Sequence, residues 1–197
     1  PDAKQPYMDE TTLSLEHKFK GPWMASATYL YRVNKNNLLR KDTAADSGSW
    51  QVEDFDDYRS GQAGTISVPV WYSSVASDEH QWVVTNIPEA KRAFWSATLA
   101  VSRSFQDNWS LNASYTRARR YGNTYKSNGY DTLFENHNNL VNSNGLLPGF
   151  NDDEVKLHGL YEFPWKMRVS GTFTYLSGEH YTPYVRTGRI NGTRYYI

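Results

Sequence analysis

An all-β, antiparallel architecture is predicted by three features of this sequence: repeated apolar–polar alternation, connections that are either very short or very long, and aromatic residues beside every short one. The 197-residue chain is 39% hydrophobic, with 21 basic and 21 acidic residues and a mean hydropathy of -0.73. Aromatic residues nevertheless reach 15%. Such a mixture suits strands with one apolar and one wet face, and it is unlike the aromatic-poor composition of disordered chains. Zero net charge argues against a nucleic-acid partner, which calls for a basic face. The absence of cysteine removes disulfides, thiolate zinc sites and cysteine nucleophiles. No apolar run approaches the roughly 18 residues that a spanning helix needs.

Six segments carry the alternation. In the first, Leu13, Leu15 and Phe19 occupy odd positions with polar residues between. The second sets Trp23, Ala25, Ala27, Tyr29, Tyr31 and Val33 on one face; the third sets Ala93, Trp95, Ala97, Leu99, Val101 and Phe105 against serines and Thr98. The fourth runs Trp109, Leu111, Ala113, Tyr115. The fifth and sixth run Val155, Leu157, Tyr161, Phe163 and Met167, Val169, Phe173, Tyr175. Period-two patterning of this length means strands.

Lys20-Gly21-Pro22, Gln106-Asp107-Asn108 and Pro164-Trp165 read as tight hairpin turns. The other connections, about 34–91 and 118–154, are far longer than compact soluble domains favour. Short turns at one end and long loops at the other are the habit of outer-membrane barrels. The aromatics sharpen this. Phe19 and Trp23, Phe105 and Trp109, and Phe163 and Trp165 flank the three turns. Tyr29, Tyr31, Trp95, Tyr115, Phe173 and Tyr175 form a second set further along the strands. Amphipathic rings gather at both membrane–water interfaces. Ten residues from Trp95 to Phe105 extend about 33 Å, or about 25 Å along the membrane normal when tilted, the height of a barrel's apolar band. The fold class expected is therefore an antiparallel transmembrane β-barrel fragment, six to eight strands of a larger barrel, with short periplasmic turns and long extracellular loops. A soluble sandwich with one buried face is the competing reading of the same alternation.

Pro1-Asp2-Ala3-Lys4-Gln5-Pro6 shows no leader, and Arg194-Tyr195-Tyr196-Ile197 reads as the opening of a strand. The whole of 1–197 is thus expected to be one partial barrel, a piece of a longer chain.

Several stretches resemble the late barrel of Oar-like TonB-dependent receptors. They are Gln5-Pro6-Tyr7-Met8-Asp9-Glu10 with Ser26-Ala27-Thr28-Tyr29-Leu30-Tyr31-Arg32, then Arg103-Ser104-Phe105 through Tyr121-Gly122-Asn123, then Val155 through Trp165, and last Ser170-Gly171-Thr172-Phe173 leading to Ser177-Gly178-Glu179-His180-Tyr181-Thr182. The resemblance rests on the order and spacing of these stretches and covers most of the chain apart from 34–91. It implies a barrel of about 22 strands in the bacterial outer membrane. The plug domain and energy-coupling box of that family are not in these 197 residues. The implied activity is binding a substrate at the extracellular loops and importing it with TonB-type energy coupling. The implied partners are outer-membrane lipid and lipopolysaccharide, the rest of the barrel with its plug, and the energy-coupling complex.

Chemistry-bearing groups are sparse. His17, His80, His137, His158 and His180 show no metal-ligand spacing, and no catalytic triad order or nucleotide loop is present, so no catalytic residue, metal or cofactor is expected. Glu53-Asp54-Phe55-Asp56-Asp57 and Asp152-Asp153-Glu154 read as solvated acidic loops, with calcium as the sharper alternative. Arg117-Ala118-Arg119-Arg120, with Arg186 and Arg189, read equally as solvated strand ends or as contacts for anionic headgroups. Trp50, Phe55, Tyr58, Trp71, Tyr72, Tyr121, Tyr125 and Tyr130 stand among polar loop residues as candidate substrate contacts. Residues 64–72 read as an extra strand, at an edge because of Pro69. The alternatives to import are a non-transporting adhesive or structural barrel and a soluble carbohydrate-binding β-domain.

Overall fold

The computed structural model describes residues 3–45, 49–57, 66–76, 78–124, 135–140, 143–149, 151–181, 186–190 and 193–196. Tyr58, Tyr125 and Tyr130 lie outside them. In chain order the strands are β1 (Tyr7–Lys18), β2 (Trp23–Lys35), β3 (Leu38–Asp42), β4 (Trp50–Asp57), β5 (Ile66–Ser73), β6 (Trp82–Asn86), β7 (Arg92–Gln106), β8 (Trp109–Gly122), β9 (Gly145–Leu146), β10 (Asp153–Glu162), β11 (Arg168–Leu176), β12 (Arg186–Ile190) and β13 (Thr193–Tyr196). No α-helix occurs among the described residues. All pairings are antiparallel.

The main sheet runs β1-β2-β7-β8-β10-β11, with the two-residue β9 beside β8. Its six long strands are the six alternating segments, in the order of a meander. The turns explain the tight connections. Asp107 and Asn108 both take positive φ, 51° and 69°, as a two-residue hairpin turn matching strand twist requires. Gly21 sits at φ 84° in the β1–β2 turn.

β1 begins six residues before its alternation does. Tyr7–Thr12 shows no apolar period, and cross-strand charge supplies the pairing instead. Lys35 reaches Asp9 at 2.7 Å, and Arg32 reaches Glu10 at 2.5 Å. β8 likewise continues to Gly122, which places Arg117, Arg119 and Arg120 on a strand.

The connection between β2 and β7 is mostly paired strand. β3 pairs with β6 and β4 with β5, so the ladder of β2 and β7 is prolonged into one nested ribbon, the arm. Thr43 N–H to Gln81 C=O and Ser74 N–H to Ser49 C=O, both 2.8 Å, carry the backbone across the gap between the two ladders. No strong alternation announces this ribbon, because neither of its faces is consistently buried. Pro69 pairs with Asp54 in this two-stranded ribbon, where a missing N–H is tolerated.

Buried apolar side chains are few and sit away from the main sheet's centre. Leu39, Ile87 and Ala90 cluster at the arm's base, with Val70 further along it.

Candidate functional site

Register sorts the main sheet into two chemically distinct faces. Across the strands, one row reads Leu15, Ala27, Leu99, Tyr115, Val155, Tyr175. The next row toward the short turns reads His17, Ala25, Val101, Ala113, Leu157, Phe173. The opposite face reads Ser14, Thr28, Thr98, Thr116, Glu154, Leu176 in one row and Glu16, Ser26, Ala100, Ser114, Lys156, Thr174 in another. Hydroxyls pair across that face: Ser14 with Thr28 at 3.1 Å and Thr98 with Thr116 at 2.9 Å. Thr172 Oγ1 lies 3.0 Å from His158 Nδ1.

Nothing among the described residues covers the apolar face. Leu15 is 68% exposed, Leu13 63%, Leu99 59% and Phe173 56%. From the Trp23 rung to the Tyr31 rung is eight residues, about 27 Å. Six strands spaced about 4.8 Å make a face roughly 25 Å wide.

The aromatic residues bound this face unevenly. At the short-turn end, Trp23 packs edge-on against Trp109 with centroids 5.8 Å apart, and Phe163 stacks on Trp165 at 4.8 Å. Phe19 makes an edge contact with His17, and Phe105 lies within 5.9 Å of the Arg168 guanidinium. At the loop end, Tyr31 is opposite Trp95, and Tyr29 stacks on Trp95 at 6.5 Å. Tyr115 and Tyr175 stand in the Leu99 rung, and Phe173 one rung nearer the turns, inside the apolar band.

Toward the loops the row of Leu13, Tyr29 and Ala97 ends in Arg117 and Asp153; near the short turns another charge stands among the apolar rows, and alternation gives no sign of it. Arg103 falls on the same face as Val101 and Leu111 yet is only 6% exposed. Its Nη1 donates to the carbonyls of Gln106 and Trp109, both at 2.5 Å, and its Nη2 to Asp107 at 3.1 Å. The guanidinium lies 3.9 Å from the Trp109 ring centroid and 6.0 Å from that of Trp23. It therefore closes the bulged β7–β8 turn while two indoles shield it from the apolar face.

At the loop end the polar groups are paired and partly buried. Asp42 accepts from His80 Nδ1 and from the backbone N–H groups of Gln81 and Ala44, each of these two at 3.0 Å. Burial pushes the Asp42 carboxyl up, but those three donors outweigh it and hold it below the usual carboxylate range. Arg40 pairs with Glu135 and so ties the segment after β8 to the arm. His137 lies between two indoles, 4.6 Å from Trp50 and 5.4 Å from Trp71. Burial, with Lys41 nearby, lowers its pKa. Buried Asn138 accepts from the Trp71 N–H at 2.7 Å and donates to the Trp71 carbonyl at 2.6 Å. Asp152, also buried, meets Arg119 and His180.

The loop aromatics thus separate. Trp50 and Trp71 join one cluster around His137. Tyr72 pairs with Gln51 on the arm, and Tyr121 stands on β8 opposite Ala93. Phe55 belongs to β4. His137 and Asn138 carry no local motif; only the fold brings them to β5. No group of three or more potential metal ligands exists among the described residues. Comparison with family models, with curated proteins and with solved structures finds no match.

Proposed function

We propose that this chain is part of the wall and loop crown of a bacterial outer-membrane barrel receptor. In this reading it resembles an Oar-like TonB-dependent receptor, which binds a substrate at its loops and imports it with TonB-type energy coupling. One observation carries the reading: the apolar face is open, with its rows crossing six strands (roughly 25 Å) and running about 27 Å along β2. Soluble monomers rarely leave contiguous apolar patches beyond a few hundred Å² to water. Lipid tails satisfy such a face, and the opposite, hydroxyl-lined face suits a wet lumen.

Two further features agree. Along β1 and β11 each strand pairs on one side only among the described residues. In lipid every backbone group needs a partner, so both edges call for further strands. The boundary aromatics and the shielded Arg103 also give the apolar band a defined lower rim. The arm with buried Asp42 and the segment with buried Asn138 then lie outside the cell. The three short turns face the periplasm.

The test uses the full-length protein in cells. Protease shaving of intact cells is expected to cut in 43–49 or 74–81 and to spare 20–22 and 106–108. Retention in membranes after alkaline washing accompanies it. Release by the wash overturns the membrane reading, and cleavage confined to the short turns overturns the orientation. Capture of the full-length protein by the periplasmic domain of an energy-coupling protein separates import from the adhesive barrel.

A further inference from the structure

At the loop end of the apolar face, where the arm leaves the main sheet, an open cleft of about 510 Å³ is lined by Tyr31, Val33, Pro88 and Tyr121 together with Lys35, Lys91 and Arg92. Its charged lining residues among the described residues are all cations. Tyr31, Val33 and Lys35 alternate along β2 on the apolar side of the sheet, and Tyr121 stands on the same side of β8. The cleft is therefore continuous with the apolar rows below it.

The backbone that presents Lys91 is held rigidly. Asn123 accepts from the Lys91 N–H at 2.7 Å, donates its own N–H to the Lys91 carbonyl at 3.0 Å, and donates Nδ2 to the Glu89 carbonyl at 2.9 Å. Gly122, at φ 150°, lets this happen: a Cβ there would come within 2.1 Å of the Lys91 oxygen. The Lys91 ammonium has no ion-pair partner among the described residues. Lys35 also pairs at 2.7 Å with Asp9, which stands on the same face opposite Val33.

We propose that this cleft seats the phosphate of an outer-leaflet lipid, lipopolysaccharide, with Lys91 and Lys35 on the phosphate and the acyl chains along the Val33, Tyr31 and Leu13 side of the apolar face. Charge complementarity picks the anion, and continuity with the apolar rows picks a lipid over a free ion. The inference rests on the membrane reading above and names the lipid contact that reading needs at its outer rim.

The experiment uses the purified full-length protein in micelles, titrated with lipopolysaccharide and separately with inorganic phosphate, with retained lipid counted by native mass spectrometry. Lys35→Ala with Lys91→Ala is expected to weaken lipid binding about 25-fold, roughly fivefold per lysine. Lys35→Arg with Lys91→Arg keeps binding near the parent, and Lys156→Ala on the hydroxyl face leaves it unchanged. Equal binding by parent and double-alanine protein overturns the site. Displacement of the lipid by inorganic phosphate overturns the lipid assignment. Failure of the parent itself to enter lipid vesicles sinks the membrane reading and is distinct from both.

Discussion

The two ends of this molecule solve the burial problem in opposite ways. The six-stranded sheet spends most of its Leu, Val and aromatic side chains on a face that nothing among the described residues covers. The loop end, although richer in polar residues, holds what core there is: Leu39, Ile87 and Ala90 packed together, Val70 and Asn138 buried near the Trp–His cluster, and Asp152 under Arg119 and His180. On the proposed membrane reading, lipid surrounds the apolar face and water the loop end. The boundary between the two solvents, on that same reading, crosses the rung shared by Tyr31, Trp95 and Arg119.

The largest effect should come from forcing the wrong solvent onto the sheet. Leu99→Arg puts a charge in the middle of the apolar face, where it costs about 2–4 kcal/mol in a bilayer. On a face that met water it would cost close to nothing. Denaturant unfolding of the full-length protein refolded into vesicles measures it, and an unchanged midpoint breaks the contrast between the two ends. Arg103→Ala comes next. It strips two carbonyls and Asp107 of their donor and leaves a gap beside Trp109, a loss of about 2 kcal/mol for charge-assisted bonds. Arg103→Lys is expected to recover little, since an ammonium cannot stack on the indole while serving both carbonyls. Full recovery by lysine would mean that the charge alone matters.

How far these regions could be read in advance follows the same physics. The sheet's strands are legible because one face is apolar along most of its length, so alternation survives in the sequence. Tyr7–Thr12 is the exception, since ion pairs to Arg32 and Lys35 replace apolar contacts there. Arg103 hides for a related reason. Its neighbours in sequence announce an apolar row, and its partners come from the turn and from Trp23 across the ladder. The arm is nearly silent, because a two-stranded ribbon with mixed faces imposes no period. Trp50 and Trp71 are visible as loop aromatics, but nothing local marks His137 or Asn138 as their partners. Those contacts span 67 residues between Asn138 and Trp71.

A smaller effect is expected at that long-range contact. Asn138→Ala removes both bonds to the Trp71 backbone, which opens the junction between the arm and the following segment by about 1–2 kcal/mol. Hydrogen exchange at the Trp71 amide reads this directly, while the main-sheet amides should keep their protection. Loss of protection in both regions together would show that the two ends unfold as one unit, against the division drawn here.

The weakest prediction concerns pH at the same junction. The His137 pKa is lower in the folded state than its ordinary value near 6.5. The unfolded junction therefore takes up a proton first as pH falls. Protection at Trp71 should stay level from pH 8 to about 6.5, then decline as pH drops through the lowered His137 pKa. His137→Asn should flatten that decline. Asp42 adds a second decline lower down, because its depressed carboxyl contributes stability above about 3.8 that is lost as pH falls through its folded value. Asp42→Asn should remove that lower step and leave the upper one. Neither His137 nor Asp42 stands in the main sheet's apolar rows, so amides around Leu99 should show neither step. A step shared by the Leu99 and Trp71 amides would tie the open face to the loop cluster energetically, and the two-solvent division would then be wrong.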